Sequence, residues 1–292
     1  MPLSFSSQLY RHAVDRLTEA GISNAQQEAL WIIEEASDIS RLQIYADAKD
    51  VIDPETYQRV GSLIERRAQH EPLQYVLGSQ EFCGVDIAVQ PGVLIPRPES
   101  QLLVEEATLL LRSYAQPVIL DVGTGSGCLA ISLARALKQS IVIASDLSVS
   151  ALKVAKFNAG KHARNARILW LAGDLLSPLL SSSVAGKVTA IVANLPYISH
   201  EEWDRLSPDV KDFEPRLALD GGPDGLDVYR RLLQEAPCVL APDGIVLMEI
   251  GIGQADCLRK EVEDSPFFDV MSIQSDSRGI PRMVCVRHIG QE

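Results

Sequence analysis

A chain of 292 residues, 46% of them hydrophobic, is long enough for two ordinary domains and a substantial core. A formal charge of -12 speaks against a non-specific nucleic-acid binder, because phosphate contacts need clustered Lys and Arg. The first 72 residues carry 12 acids against 7 bases, so the amino-terminal part is no basic arm either. Cys83, Cys128, Cys238, Cys257 and Cys285 are odd in number and scattered, which predicts free thiols rather than a disulfide framework or a metal site. The opening Met1-Pro2-Leu3-Ser4-Phe5-Ser6 lacks a basic stretch and an apolar stretch, and no apolar run reaches the ~18 residues of a membrane span. These features predict a cytoplasmic protein with no membrane contact. Nothing in the sequence suggests an oligomer, so a monomer is expected.

Residues 1–72 read as a small helical bundle. Leu9, Ala13 and Leu17 recur at helical spacing and Gly21 stops that helix. Ser23 with Gln26 three residues on predicts a capping box, opening a helix through Ala29, Leu30 and Ile33. Asp53-Pro54-Glu55 is a third start, with Tyr57, Val60, Leu63 and Ile64 on its apolar face until Pro72. The bundle carries no catalytic constellation, and both a recognition role and a purely structural one are open to it.

Residues 73–95 change character. Phe82, Val85, Ile87 and Val89 alternate around Gly84 and end at Pro91-Gly92, which predicts a β-hairpin linker. Leu94-Ile95-Pro96-Arg97-Pro98-Glu99-Ser100 follows. Its two prolines cannot sit mid-helix, so it is either a rigid linker or a stiff pocket wall presenting Arg97 and Glu99.

The catalytic domain is expected over 96–292. Strand-like runs Val118–Asp121, Ile141–Ala144, Ile168–Leu171, Val188–Ala193 and Gly244–Ile250 alternate with helical stretches, among them Gly225–Leu240. Phe267–Ile273 and Met283–His288 are candidates to close the sheet. This alternation predicts an α/β fold with a mostly parallel, doubly wound sheet, Rossmann-like in class.

In such sheets ligands lie beyond the carboxyl ends of the strands. Four ends here carry a telling residue: the loop Gly123-Thr124-Gly125-Ser126-Gly127, then Asp146, Asp174 and Asn194. The glycines let backbone approach a ligand, and Asp146 is placed to take both hydroxyls of a ribose. A nucleoside-bearing cofactor is therefore expected. After Asn194 come Leu195, Pro196 and Tyr197, which read either as an ordinary turn with a lid or as polar acceptors and a flat ring for a planar, nitrogen-bearing group.

The tight glycine spacing and the acid before the loop resemble the S-adenosylmethionine site of class I methyltransferases. That resemblance implies Asp121 near the cofactor's cationic amino group, directly or through water, and Asp174-Leu175 beside its adenine, with Asn194 also at its edge. Asn194-Leu195-Pro196-Tyr197 resembles the Asn-Pro-Pro-Tyr signature of amino-methyltransferases. Together with Val93 to Glu99, Phe213-Glu214-Pro215, Ala218-Leu219-Asp220-Gly221-Gly222, Asp224-Gly225-Leu226 and Glu249-Ile250-Gly251, the chain is similar to the HemK/PrmC family. These are glutamine-N5 methyltransferases of class I peptide chain release factors, and the likeness spans nearly the whole chain.

The mechanism so implied is methyl transfer from a sulfonium to a side-chain amide nitrogen. An amide nitrogen is a poor nucleophile, so the site needs geometry and acceptors more than a base. The Asn194 side-chain oxygen and the Leu195 carbonyl are expected to accept the two N–H groups, with the Tyr197 ring on the amide plane. Leu195 departs from the family's Pro: it adds a backbone N–H and leaves its own φ free, while Pro196 still biases it towards an extended backbone. Two rivals remain at this point, a DNA or RNA amino-methyltransferase and a non-catalytic binding module.

Overall fold

The computed structural model describes residues 4–46 and 51–290, so part of the stretch between the second and third predicted helices lies outside the described residues. The chain divides into two compact units. One runs to Ser79 and includes Ser207–Phe213; the other holds Gln80–Leu206 and the chain from Glu214.

The first unit contains β1 (Ser4–Phe5), α1 (Ser6–Glu19), α2 (Ala25–Ala36), α3 (Arg41–Tyr45), β2 (Val51–Ile52), α4 (Pro54–Ala68) and α5 (Leu73–Leu77). The predicted apolar faces are its core: Leu9, Leu17, Leu30, Ile33, Val60 and Ile64 are all buried. Gly21, at φ 78, ends α1 as expected. Asp53 caps α4 by accepting the Thr56 N–H at 2.9 Å. The capping box expected at Ser23 and Gln26 is not formed. Asn24 precedes the first turn of α2 without a side-chain cap, because the helix begins one residue later than that spacing requires. Ser40 and Gln43 form a capping box instead, at the start of α3. The helical packing continues through α5 to the left-handed Gly78, so the hairpin is narrower than 73–95.

The second unit begins within that hairpin, β3 (Ser79–Phe82, whose first residue still belongs to the first unit) and β4 (Val85–Ala88). Then come α6 (Gln101–Leu111), β5 (Val118–Val122), α7 (Cys128–Ala136), β6 (Ile141–Asp146), α8 (Val149–His162), β7 (Ile168–Ala172) and β8 (Val188–Ala193). After them lie α9 (His200–Trp203), α10 (Pro208–Lys211, a member of the first unit), α11 (Asp227–Glu235), β9 (Leu240–Glu249), α12 (Ala255–Glu263), β10 (Phe268–Ser275) and β11 (Pro281–His288).

Seven strands form the central sheet in the order β10-β11-β9-β8-β5-β6-β7. The five from β9 to β7 are parallel; β11 and β10 join antiparallel at one edge, so the sheet stays open. Parallel strands covered on both faces read as continuous apolar runs, and Ile119, Leu120, Val192 and Ala193 are buried accordingly. The chain winds from β5 out to β7, then returns to β8 on the other side of β5. The switch point thus falls between β5 and β8, where a crevice opens at the carboxyl ends.

The predicted Gly225–Leu240 helix is shorter. Pro237 lacks the N–H a continuing helix needs, so the α-helix ends at Glu235, a 3-10 turn follows over Ala236–Cys238, and Leu240 already starts β9. Asn158 of α8 holds the hairpin to the glycine loop. Its side chain exchanges hydrogen bonds with Ala88 at 2.9 and 3.0 Å and donates to the Ser126 carbonyl at 2.9 Å.

Candidate functional site

A cavity of about 370 Å³ opens at the switch point. Gly123, Thr124, Gly125 and Ser126 form its floor, Asp146, Asp174 and Leu175 one side, and Asn194, Leu195, Pro196 and Arg97 the other. Asp121, Gly127, Glu99 and Tyr197 are not on its wall.

The loop is built by close approach. Gly123, at φ 72, sits close against Leu195: a Cβ there would lie 2.9 Å from Leu195 Cδ2, which would have to shift. The Gly123 and Thr124 N–H groups both donate to the Ser145 carbonyl at 2.9 Å. Gly127 instead packs the start of α7 on α8, its missing Cβ replaced by Ala155.

Asp121 lies beneath the loop, fully buried. Its Oδ2 accepts the Thr124 hydroxyl at 2.6 Å and the Ala130 N–H at 3.0 Å, while Oδ1 is buried without a partner. Burial pushes its carboxyl up to about 7, against the pull of those two donors. In this position Asp121 braces the loop from beneath.

Asp146 faces the cavity at the end of β6. Its two oxygens accept the Gly125 N–H at 2.8 Å and the Ser148 N–H at 2.7 Å, which fixes the carboxylate and leaves further lone pairs for hydroxyl donors. Asp174 pairs with Arg231 at 2.6 Å, and Leu175 beside it holds φ 46. Leu147, more than half exposed, adds an apolar surface on the same side.

The opposite wall is anchored from below. Arg97 is paired with Glu214, whose second oxygen accepts the Ile95 N–H at 3.1 Å. The Glu214 side chain is almost fully buried, so the stiff segment is a tethered wall rather than a free linker. Glu99 faces elsewhere, with Arg278 of the β10–β11 turn 3.8 Å away.

Asn194 donates from Nδ2 to the Ser100 hydroxyl at 2.9 Å. Ser100 donates to Glu249 at 2.6 Å, and the Tyr197 hydroxyl donates to the other Glu249 oxygen at 3.1 Å. Burial pushes the Glu249 carboxyl up to about 7, opposed by its donors Ser100 and Tyr197. The Leu195 N–H donates to the Tyr229 hydroxyl at 3.2 Å, which itself donates to the Glu249 carbonyl. Behind this stretch Gln254 donates to the Tyr197 carbonyl at 2.8 Å. Gly221 sits against the Pro196 carbonyl and the Tyr197 Cα, where an added Cβ would come within 2.8 Å of each. The Asp-Gly-Gly stretch is thus the backing of the tetrapeptide. Ser100, Glu249 and Tyr229 were not anticipated as site residues; the signal for Glu249 was an acid ending the apolar run of the fifth strand.

Cys128 is on the wall too, but burial pushes its thiol up to about 12, so it is no thiolate nucleophile. Among the described residues there is no group of His, Cys, Asp and Glu able to hold a metal, and no helix long and apolar enough to cross a membrane. What the cavity offers is acceptors and shape rather than a base.

Residues 8–78 match the family described as PrmC N-terminal domain, and residues 119–213 match the family described as Methyltransferase domain. Over 268 residues the chain is 40% identical to a release factor glutamine methyltransferase of Geobacter sulfurreducens, covering 92% of this chain and 91% of that protein. It is 42% identical over 247 residues to a release factor glutamine methyltransferase of Moorella thermoacetica, covering 85% of this chain and 86% of that one. Among solved structures, a methyltransferase from Pyrococcus furiosus is similar at a TM-score of 0.50 and 20% identity, covering 71% of this chain and 90% of that chain. At that identity the likeness speaks for the fold alone.

Proposed function

The chain belongs to the family of release factor glutamine methyltransferases, and from that membership we propose its reaction in full. It is an enzyme that moves a methyl group from S-adenosylmethionine to the side-chain amide nitrogen of the glutamine in the Gly-Gly-Gln motif of class I peptide chain release factors. The release factor is a protein partner, and no direct contact with nucleic acid is needed. We place the reaction in the cytoplasm and assign it to a monomer; the acidic charge of -12 fits a protein rather than a nucleic-acid substrate. The helical first unit is the candidate for recognising the release factor.

The residues present fit the cofactor. The fixed Asp146 carboxylate suits a ribose, and Leu147 and Leu175 suit an adenine face. The unpartnered Asp121 Oδ1 suits a water bridging to the amino group, since a buried polar atom without a partner marks a place for water or ligand. When bound, the cofactor supplies an electrophilic methyl on a sulfonium.

The chain's own residues would do the rest. The observation that carries the reading is the commitment of Asn194 Nδ2 to Ser100, which leaves Oδ1 as the accepting end of a residue that lines the cavity. Asn194 Oδ1 and the Leu195 carbonyl accept the two amide N–H groups, turn the nitrogen lone pair to the methyl, and favour the charge that develops there. Tyr197, off the cavity wall and pinned at its hydroxyl by Glu249, braces the clamp from behind rather than packing its ring on the amide. Arg97 is the candidate contact for the substrate backbone, while Glu99, off the wall, is left without that role.

Incubation with methyl-labelled cofactor tests the reading against three substrates: a release factor, its Gln-to-Ala form in the Gly-Gly-Gln motif, and DNA. Label in the intact factor alone is expected. Label in DNA but not in the factor would overturn the substrate, and label nowhere would leave only a binding module.

A further inference from the structure

A carboxamide has two ends of similar shape and opposite hydrogen-bonding sense. A clamp made from Asn194 works as an acceptor only if its oxygen, not its NH2, faces the substrate. The structure shows what decides this. Ser100 has a single hydroxyl hydrogen, and it is donated to Glu249 Oε2 at 2.6 Å. Ser100 Oγ therefore meets Asn194 with a lone pair, which only the NH2 end can satisfy, at 2.9 Å. The other Glu249 oxygen is taken by the Tyr197 hydroxyl at 3.1 Å, so the carboxylate cannot turn away from Ser100 without losing a second bond. Ser100 and Glu249 are both buried, with Ser100 at the edge of the cavity, and the bond between them is shielded from bulk water.

We propose that Ser100 and Glu249 are positioning residues that set the polarity of the clamp: together they engage the Asn194 nitrogen and leave its oxygen as the end that accepts from a substrate. This inference rests on the reading of Asn194 as the amide acceptor. Glu249 is also tied to the rest of the tetrapeptide. Its main-chain carbonyl accepts from Tyr229, which accepts the Leu195 N–H. Asn194, Leu195 and Tyr197 are thus all held from one strand end.

The relay has a direction only while Glu249 is ionised. A protonated Glu249 carries an O–H to donate, Ser100 can then turn its own hydrogen to Asn194, and the carboxamide is free to flip. Burial favours that protonated form, and so does Glu99 beside α6; Ser100, Tyr197 and Arg282 of β11 oppose it, while Tyr229 of α11 approaches from the remaining side. With the group at about 7, turnover is expected to rise with pH across that value.

The test compares parent, Ser100→Ala, Glu249→Ala and Glu249→Gln for kcat and KM on a release factor from about pH 6 to about pH 9, with cofactor affinity measured by calorimetry. Ser100→Ala is expected to lower kcat about 10- to 100-fold while cofactor affinity stays within about twofold. Glu249→Gln keeps an oxygen to accept from Ser100 and an NH2 to meet the Tyr197 oxygen. Because its amide can also turn the NH2 to Ser100, as a protonated Glu249 turns its O–H, it is expected to recover only part of what Glu249→Ala loses, and to lack the parent's acid limb. A Ser100→Ala enzyme with parental kcat overturns the proposal. So does a fall in kcat matched by an equal fall in cofactor affinity, or a Glu249→Gln enzyme with the parental acid limb. A parent that methylates no release factor, though it binds cofactor, sinks the underlying reading and this inference with it.

Discussion

The Leu195 N–H donates to the Tyr229 hydroxyl at 3.2 Å. A Pro at this position would have no hydrogen to give, so Leu introduces a buried donor and Tyr229, itself fully buried, satisfies it. Tyr229→Phe strands both the Leu195 N–H and the Glu249 carbonyl, and is expected to cost about 1–3 kcal/mol in chemical denaturation. Leu195→Pro should be better tolerated in the Tyr229→Phe background than in the parent. A double-mutant cycle that is additive within about 0.5 kcal/mol would contradict the pairing.

Gly123 is the tightest point of the glycine loop. Alanine there must take a left-handed φ, at about 1–2 kcal/mol, and meet Leu195 Cδ2 at 2.9 Å. Gly123→Ala is expected to weaken cofactor binding at least tenfold by calorimetry. Parental affinity would show that the loop yields more readily than its packing implies.

Asp146 is both a ligand candidate and part of the loop's frame, through Gly125 and Ser148. Asp146→Ala should weaken cofactor binding without abolishing the folded state. Affinity equal to the parent's would remove Asp146 from the ribose.

Asp121 and Glu249 give stability a pH dependence of known sign. Burial raises each to about 7, above the ordinary carboxylate range, so the folded state holds these protons more tightly than the unfolded chain does. Their contribution is complete below about pH 4 and is lost as pH rises to about 7. Asp224, held down at about 2 by Arg230, acts in the opposite sense, in a separate window below about pH 4. The drop in melting temperature between about pH 5 and about pH 8 should be smaller in Glu249→Gln than in the parent. An equal drop would place the titration elsewhere.

Much of this was legible in the sequence, for stated physical reasons. Buried parallel strands show as apolar runs, and the residues at their carboxyl ends line the crevice, which is how the sequence points to Asp146, Asp174 and Asn194 on the cavity wall. Local signals were less reliable: the Ser23–Gln26 spacing suggested a cap that the chain makes at Ser40 and Gln43 instead. Periodicity carried the last long helix through Pro237, where the missing N–H stops it. What spacing cannot show is which distant residues meet. Ser100 and Glu249 are 149 positions apart, and only the folded sheet brings them behind Asn194. The same limit hid the backing role of Gly221 and the tether of Arg97 to Glu214.

The most direct measurement is methyl transfer by Asn194→Ala to a release factor, with cofactor affinity determined on the same preparation. Loss of one positioned acceptor is expected to cut kcat by about 10²–10³-fold while cofactor binding is retained. Parental turnover in that variant would contradict the account, because the Asn194 oxygen would then not be needed to hold the amide.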